Sequence, residues 1–513
     1  MQPHRTVNPL IITPHDARAE PHRVAQARTG IAGLDDILGG GLPSNHLYLV
    51  DGEPGTGKTT LALQFLLDGV SNGESGLYVT LSESRAELVA VAQSHGWDIS
   101  KIEVFELSQA TPVEEDYTLF HPAEVELQQT MAAVLKVVTT HNPKRLVFDS
   151  LSEMRLLARD PLRFRRQILA LKQFFSGREC TVLLLDDKSA PEGDMQLHSL
   201  AHGVLLLEHI AMEYGAERRR LQVTKLRGTR FWGGFHDFRI LTGGVAVFPR
   251  IRSRVPEAIE HMTEMESGDP GLDTLLGGGL TRGTSTLVTG AAGTGKTVLT
   301  IQYVQSAVER GEKVRMYLFD ERVTTFRMRA TGLGIDLDAP LADGRLTIVQ
   351  AEPTQMSPGE FAHGVVDAVE RDGVQLVVID SINGFMNAMP SERLLGVQIH
   401  ELLSYLANKG VSSILTLVQR GVFGAPVDEA AEVSYLADTV ILLRYFEYQG
   451  SVRQAISVVK KRSGPHERTI RECQVREGGL KVGEPLSDFQ GVLMGVPEYV
   501  GERAPLLKAA SAR

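Results

Sequence analysis

The chain has 513 residues, 42% hydrophobic and 23% charged, with 53 Lys+Arg against 63 Asp+Glu and a net charge of -10 at pH 7. That length predicts more than one domain, and the ordinary mixture excludes collagen, mucin-like stalks and wholesale disorder. The acidic balance argues against a protein wrapped along nucleic acid, and two cysteines, Cys180 and Cys473, are too few for a disulfide framework or a four-thiolate zinc site.

No stretch approaches the roughly 18 uncharged apolar residues of a membrane span, so no membrane association is expected. The sparse cysteines point to a reducing, cytoplasmic compartment. Residues 1–22 are rich in Pro, His and Arg and lack an apolar core and a small-residue cleavage site. A mobile tail is expected there rather than a signal peptide.

The next segment, TGIAGLDDILGGGL at 29–42, returns as SGDPGLDTLLGGGL at 267–280. Its GLD triplets start at positions 33 and 271, an offset of 238. GEPGTGKT (Gly52) and GAAGTGKT (Gly290) keep that offset, as do Ser82-Glu83 and Asp320-Glu321. Further on, RLVFDS and QLVVIDS place Asp149 and Asp380 at an offset of 231, and Lys225-Leu226-Arg227 meets Lys460-Lys461-Arg462 at 235. Several motifs in one order make the chain a duplication, and a period this long gives each half a complete fold. The expected division is a tail at 1–22, a first domain at 23–250, a second at 251–497 and a C-terminal tail at 498–513. The boundary falls where Pro and charge interrupt the apolar pattern, at 248–268.

In the first half the apolar runs HLYLVDG, GLYVTL, KRLVFDSL, TVLLLDD and GVLLLEH alternate with amphipathic stretches such as TLALQFLLDGV. Continuous Val/Leu/Ile runs read as strands buried on both faces. Strands alternating with helices predict an α/β fold, a mainly parallel twisted sheet flanked by helices.

Both halves carry G-x-x-x-x-G-K-T between an apolar strand and a helix. Gly52, Gly55 and Gly57, and Gly290, Gly293 and Gly295, let backbone N–H groups converge on phosphate oxygens without obstruction. The helix N-terminus adds positive potential. Lys58 and Lys296 are placed to reach the β- and γ-phosphates, and Thr59 and Thr297 to offer a hydroxyl to Mg²⁺. Thr56, Thr60 and Thr294 are read as part of the same ATP-binding loops. Asp149 and Asp380 end apolar strands, where a second magnesium-organising carboxylate is expected; a strand-end turn residue is the plainer alternative. Glu83, and in the second half Asp320 and Glu321, follow the next strand, at the carboxyl end that faces the crevice. A carboxylate there would orient or deprotonate the attacking nucleophile; helix capping is the alternative. His198 and His202 stand at i, i+4 with no further ligand cluster, so no zinc site is expected. Trp97, Cys180 and Cys473 read as packing residues.

Taken together, these motifs resemble the KaiC family of RecA relatives, over residues 29–497. The doubled L-G-G-G-L entrance, doubled phosphate loop and doubled K-x-R segment carry the resemblance. It implies tandem RecA-like P-loop domains, ATP and Mg²⁺ in both halves, and a double-ring homo-hexamer with nucleotide between neighbouring subunits. It also implies a slow ATPase in the first half and reversible Ser/Thr autophosphorylation in the second. Lys225, Arg227 and Thr229 in one ring, and Lys460 and Arg462 in the other, become contacts to the neighbouring subunit's nucleotide; a solvated strand face is the alternative. Ser94 matches a further nucleotide contact. The departures are specific. Ser82 stands where the family has the first of two Glu, and Asp320 is one methylene shorter than the family's Glu. The family's Ser-Thr phosphorylation pair falls on Ser434-Tyr435, making Ser434 the candidate site, and a relay Thr falls on Glu429 in the acidic stretch DEAAE. A small KaiB-like protein or a signalling kinase is the implied partner. The other readings are a nucleotide-dependent scaffold with little turnover and a RecA/RadA-like DNA-dependent ATPase.

Overall fold

The computed structural model describes residues 25–107, 123–187, 195–212, 215–252, 263–352, 354–387, 395–419, 435–492 and 497–501. Each half opens with the same small device. Thr29 donates to Asp35 Oδ1 through both its backbone N–H and its hydroxyl, each at 2.8 Å, and the Ser267 N–H donates to Asp273 Oδ1 at 2.8 Å. The triple glycine that follows is there for space and sign of φ. Gly41 and Gly279 have φ of 139° and 137°, and a Cβ on either would stand 2.6 Å from the carbonyl oxygen of Ala27 or Met265. That close approach lets Gln26–Ala27 pair with Leu42–Pro43, and Glu264–Met265 with Leu280–Thr281.

Each half then builds a nine-stranded sheet. In the first the order is Gly244–Phe248, Phe235–Leu241, Arg218–Leu226, Gly203–Ile210, Leu47–Gly52, Thr181–Asp187, Arg145–Asp149, Gly76–Thr80 and Glu103–Glu106. In the second it runs, from the opposite edge, Leu346–Gln350, Val314–Leu318, Leu376–Asp380, Ser412–Val418, Ser285–Gly290, Thr439–Tyr448, Ser451–Lys461, Arg471–Arg476 and Gly479–Pro485. The strands from the phosphate loop outward on one side are parallel, and the far extension is antiparallel. Leu47–Gly52 and Ser285–Gly290 are buried throughout, the polar Asp51, Ser285, Thr286 and Thr289 included.

Helices cover both sheets by one apolar face each. In Pro161–Phe175 the buried residues Phe164, Ile168, Leu171 and Phe175 recur at helical spacing; in Leu395–Asn408 they are Leu395, Ile399, Leu402, Leu403 and Leu406. One difference between the two cores lies at the start of the strand that ends in the aspartate. Arg145, 3% exposed, opens its strand opposite Gly76 and donates to the carbonyls of Arg28 (2.8 Å) and Phe65 (2.6 Å), to Asp68 (3.0 Å) and to Glu74. Leu376 takes the matching place opposite Val314 and is fully buried. Two tandem α/β halves with mainly parallel sheets are thus the observed architecture. By its contacts the chain forms two compact units: one runs to Leu206 with Val223–Gly233 and Leu241–Val245, the other holds Leu207–Gln222, Gly234–Ile240 and the chain from Ala246. Among the described residues no helix is long and apolar enough to cross a membrane.

Candidate functional site

The two glycine loops adopt the same conformation. Gly55 and Gly57 have φ of 81° and 100°, and Gly293 and Gly295 have 80° and 101°, values that a side chain would strain. Thr56 Oγ1 donates to the Glu53 carbonyl and Thr294 Oγ1 to that of Ala291, both at 2.8 Å, closing each loop. The helices Lys58–Ser71 and Lys296–Glu309 start at Gly57 and Gly295 with no side-chain cap, so their first N–H groups are left for an anion. Thr59 and Thr297 sit half-buried in the first turns, with Thr60 buried beside Thr59. Lys58 Nζ donates to the carbonyls of Gly52 and Glu53 at 2.8 and 2.9 Å; Lys296 Nζ donates to those of Gly290 and Ala291 at 2.9 and 2.7 Å.

What surrounds the lysines differs. Lys58 also meets Asp187 Oδ1 at 2.7 Å. Among the described residues Lys296 has no ion pair, and burial pulls its pKa down to about 8 against the opposing charge of Asp380. Asp149 and Asp380 end buried strands, and the peptide bond after each is cis. Asp149 accepts the Tyr78 hydroxyl, and burial raises its carboxyl against that bond and against Lys58. Asp380 accepts the Thr416 hydroxyl at Oδ1, while its buried Oδ2 has no hydrogen-bond partner among the described residues. An unpaired oxygen on a buried carboxylate costs free energy, and this one fits a cation. The Thr59 side chain is among the groups that hold the Asp149 carboxyl down against burial, so these two residues are close in the first half.

Glu83 is positioned by Thr80, whose hydroxyl accepts the Glu83 N–H at 2.9 Å and donates to its carbonyl at 2.8 Å. The helix that follows is capped by Ser84 and Glu87 in a capping box, so the Glu83 carboxylate is not the cap. Its Oε2 is buried and has no hydrogen-bond partner among the described residues, and burial raises its pKa, followed by the charges of Asp149, Glu87 and Asp187. A carboxylate held up in this way suits proton transfer. In the second half Asp320 accepts the Ser381 hydroxyl, and Glu321 is clasped by Arg329 at 2.7 and 2.9 Å. Burial still raises the Glu321 carboxyl, with Asp380 adding to the rise and Arg329 opposing it.

The K-x-R segments lie at matching places. Lys225 Nζ donates to the His198 carbonyl at 2.5 Å and Arg227 Nη2 to that of Ser199 at 3.0 Å. Lys460 Nζ donates to the Ala437 carbonyl at 2.6 Å and Arg462 Nη2 to that of Tyr435 at 3.3 Å, with Asp438 3.7 Å from the same guanidinium. Thr229 is half-buried in the turn that follows Arg227. Ser94, exposed at the end of its helix, donates to the Val91 carbonyl at 2.7 Å. Ser434 and Glu429 lie outside the described residues, as does the tail at 1–22; Tyr435 is exposed. His198 meets Asp51 at 3.2 Å, and no group of three metal-ligating side chains occurs among the described residues. Sequence reasoning missed Tyr78, Thr416 and Asp187. The first two are polar groups inside largely apolar strands, and Asp187 ends a strand whose place beside the phosphate loop is set by the sheet order.

A family profile described as "ATPase: KaiC" matches residues 27–252 and again 265–487. Among curated proteins the chain is 26% identical over 491 residues to the circadian clock protein KaiC3 of Synechocystis sp., covering 94% of this chain and 96% of that one. It is 26% identical over 502 residues to the circadian clock oscillator protein KaiC of Synechococcus elongatus, covering 95% of each. The oscillator protein KaiC of Prochlorococcus marinus is likewise 26% identical over 486 residues, 93% of this chain and 96% of that one.

Proposed function

The chain belongs to the KaiC ATPase family, and from that premise we propose that it binds Mg-ATP at both phosphate loops and hydrolyses it. The observation that carries this reading is the duplicated loop geometry, with a buried lysine and a strand-end carboxylate in each half. Backbone N–H groups and the lysines hold the phosphates. Thr59 with Asp149, and Thr297 with Asp380, would hold Mg²⁺, which neutralises charge developing on the transferred phosphoryl group. Glu83 orients a water and takes its proton in the first half. Glu321, with Asp320 tied to Ser381, fills that place in the second half.

The sites are completed in trans in a homo-hexamer: Lys225, Arg227 and Thr229, and Lys460 and Arg462, face a neighbour's nucleotide, so that turnover depends on assembly. Ser94 is a further contact. The second ring also transfers phosphate to Ser434, and output passes through a KaiB-like protein or a signalling kinase, in timing or signalling in the cytoplasm. A second reading, a scaffold with little turnover, draws support in the first half from Ser82 and from the carboxylate beside Lys58. Phosphate release by the full chain tests the core of this proposal. It falls to background in Lys58→Ala/Lys296→Ala, each single variant retaining part. Unchanged release in the double variant would reject it.

A further inference from the structure

Asp187 has no part in the chemistry above, yet it stands against the lysine that chemistry needs. It ends the strand Thr181–Asp187, whose register pairs it with Gly52, the first glycine of the loop. Its Oδ1 is 2.7 Å from Lys58 Nζ, with the lysine 8% and the aspartate 28% exposed. Its position is fixed from a second side, because Ser152 Oγ accepts the Asp187 N–H at 3.0 Å and donates to its Oδ2 at 3.2 Å. The Lys58 ammonium therefore has three partners: two carbonyls and one carboxylate.

A terminal phosphate entering this loop competes with Asp187 for the same N–H donors. Remaining beside it, the phosphate would face three carboxylates, Glu83, Asp149 and Asp187; burial first, and then the charges of Asp149 and Asp187, already raise Glu83. Both outcomes cost free energy in a site of low dielectric. The cost grows with the charge nearest Asp187, and is larger for a triphosphate than for a diphosphate. Among the described residues of the second half no acid takes this place: the register pairs Gly290 with Val418.

We propose that Asp187 is a specificity-determining residue of the first site: by holding the Lys58 ammonium where a terminal phosphate must bind, it weakens that site for nucleoside triphosphate and shifts its preference toward the diphosphate. This rests on the reading of the first loop as a nucleotide site. The test is equilibrium binding of fluorescent ATP and ADP analogues to the full chain carrying Lys296→Ala, which isolates the first loop. Adding Asp187→Asn is expected to raise ATP affinity on the order of tenfold, and ADP affinity less. Asp187→Val, which installs the second half's residue, is expected to do the same. Unchanged or weaker ATP binding in both variants, or an equal gain for ATP and ADP, would overturn the proposal. Adding Lys58→Ala instead is expected to abolish binding; retained binding there would remove the nucleotide reading of this loop, and the role of Asp187 with it.

Discussion

In the first half the Lys58 ammonium is shared between two backbone carbonyls and the carboxylate of Asp187, whereas in the second Lys296 has the equivalent carbonyls and Val418 at the matching strand end. The acids at the base position diverge too. Glu83 has a buried oxygen with no hydrogen-bond partner among the described residues and no acidic neighbour in sequence, while Glu321 is clasped by Arg329 and backed by Asp320. A duplicated loop thus keeps what phosphate binding requires, the glycine dihedrals and the lysine's carbonyl anchors. The side chains at neighbouring strand ends are free to diverge, because no backbone constraint selects them. Two copies of one motif need not be two copies of one activity.

The largest effect expected from this comparison is on turnover. Glu83→Gln in a Lys296→Ala background lowers first-half phosphate release about 10²–10⁴-fold, the usual worth of a general base. Steady-state release from the full chain measures it, and unchanged release would leave the first half without its proposed base. Glu321→Gln addresses the other side: intact-mass and phosphopeptide analysis after incubation with Mg-ATP should find phosphate on Ser434 in the parent chain and none in the variant. No phosphate in either would remove the autokinase from the second half. Arg145→Ala leaves Asp68 and Glu74 without their cation and should destabilise its half by about 3–5 kcal/mol. Leu376→Ala, which empties apolar space alone, should cost about 2–5 kcal/mol. Denaturant unfolding of the two variants reads both.

The smallest effect concerns pH. His202 stacks on His46 with ring centroids 3.7 Å apart, and burial, with His46 adding, lowers its pKa to about 4 from the ordinary 6.5. A histidine lowered in this way binds fewer protons folded than unfolded. Its contribution is therefore present above pH 6.5 and lost as the pH falls toward about 4. The ring is partly exposed, so the effect is modest. His202→Asn should flatten the fall in Tm across that window; an unaltered pH profile would show that the pair does not titrate with folding.

The fold and both phosphate loops were legible because they are written in signals that do not depend on context. Continuous apolar runs, glycines at fixed offsets and a repeat at a constant spacing each restrict the backbone directly. The cations Lys225, Arg227, Lys460 and Arg462 were found only through the family resemblance, since a Lys-x-Arg on a strand has many solvated uses. Asp187 was not read at all: a run ending in two acids looks like any strand running out into solvent. Only the register that sets it beside Gly52 brings it to Lys58. Tyr78 and Thr416 were invisible for the opposite reason, as lone polar groups inside apolar strands whose partners lie on neighbouring strands.

The most direct measurement is a titration of the full chain with fluorescent ATP, in the parent and in Lys58→Ala and Lys296→Ala. Two classes of site are predicted, with Lys58→Ala removing the weaker and Lys296→Ala the tighter. A single class affected alike by both substitutions, or the reverse assignment, would contradict the account.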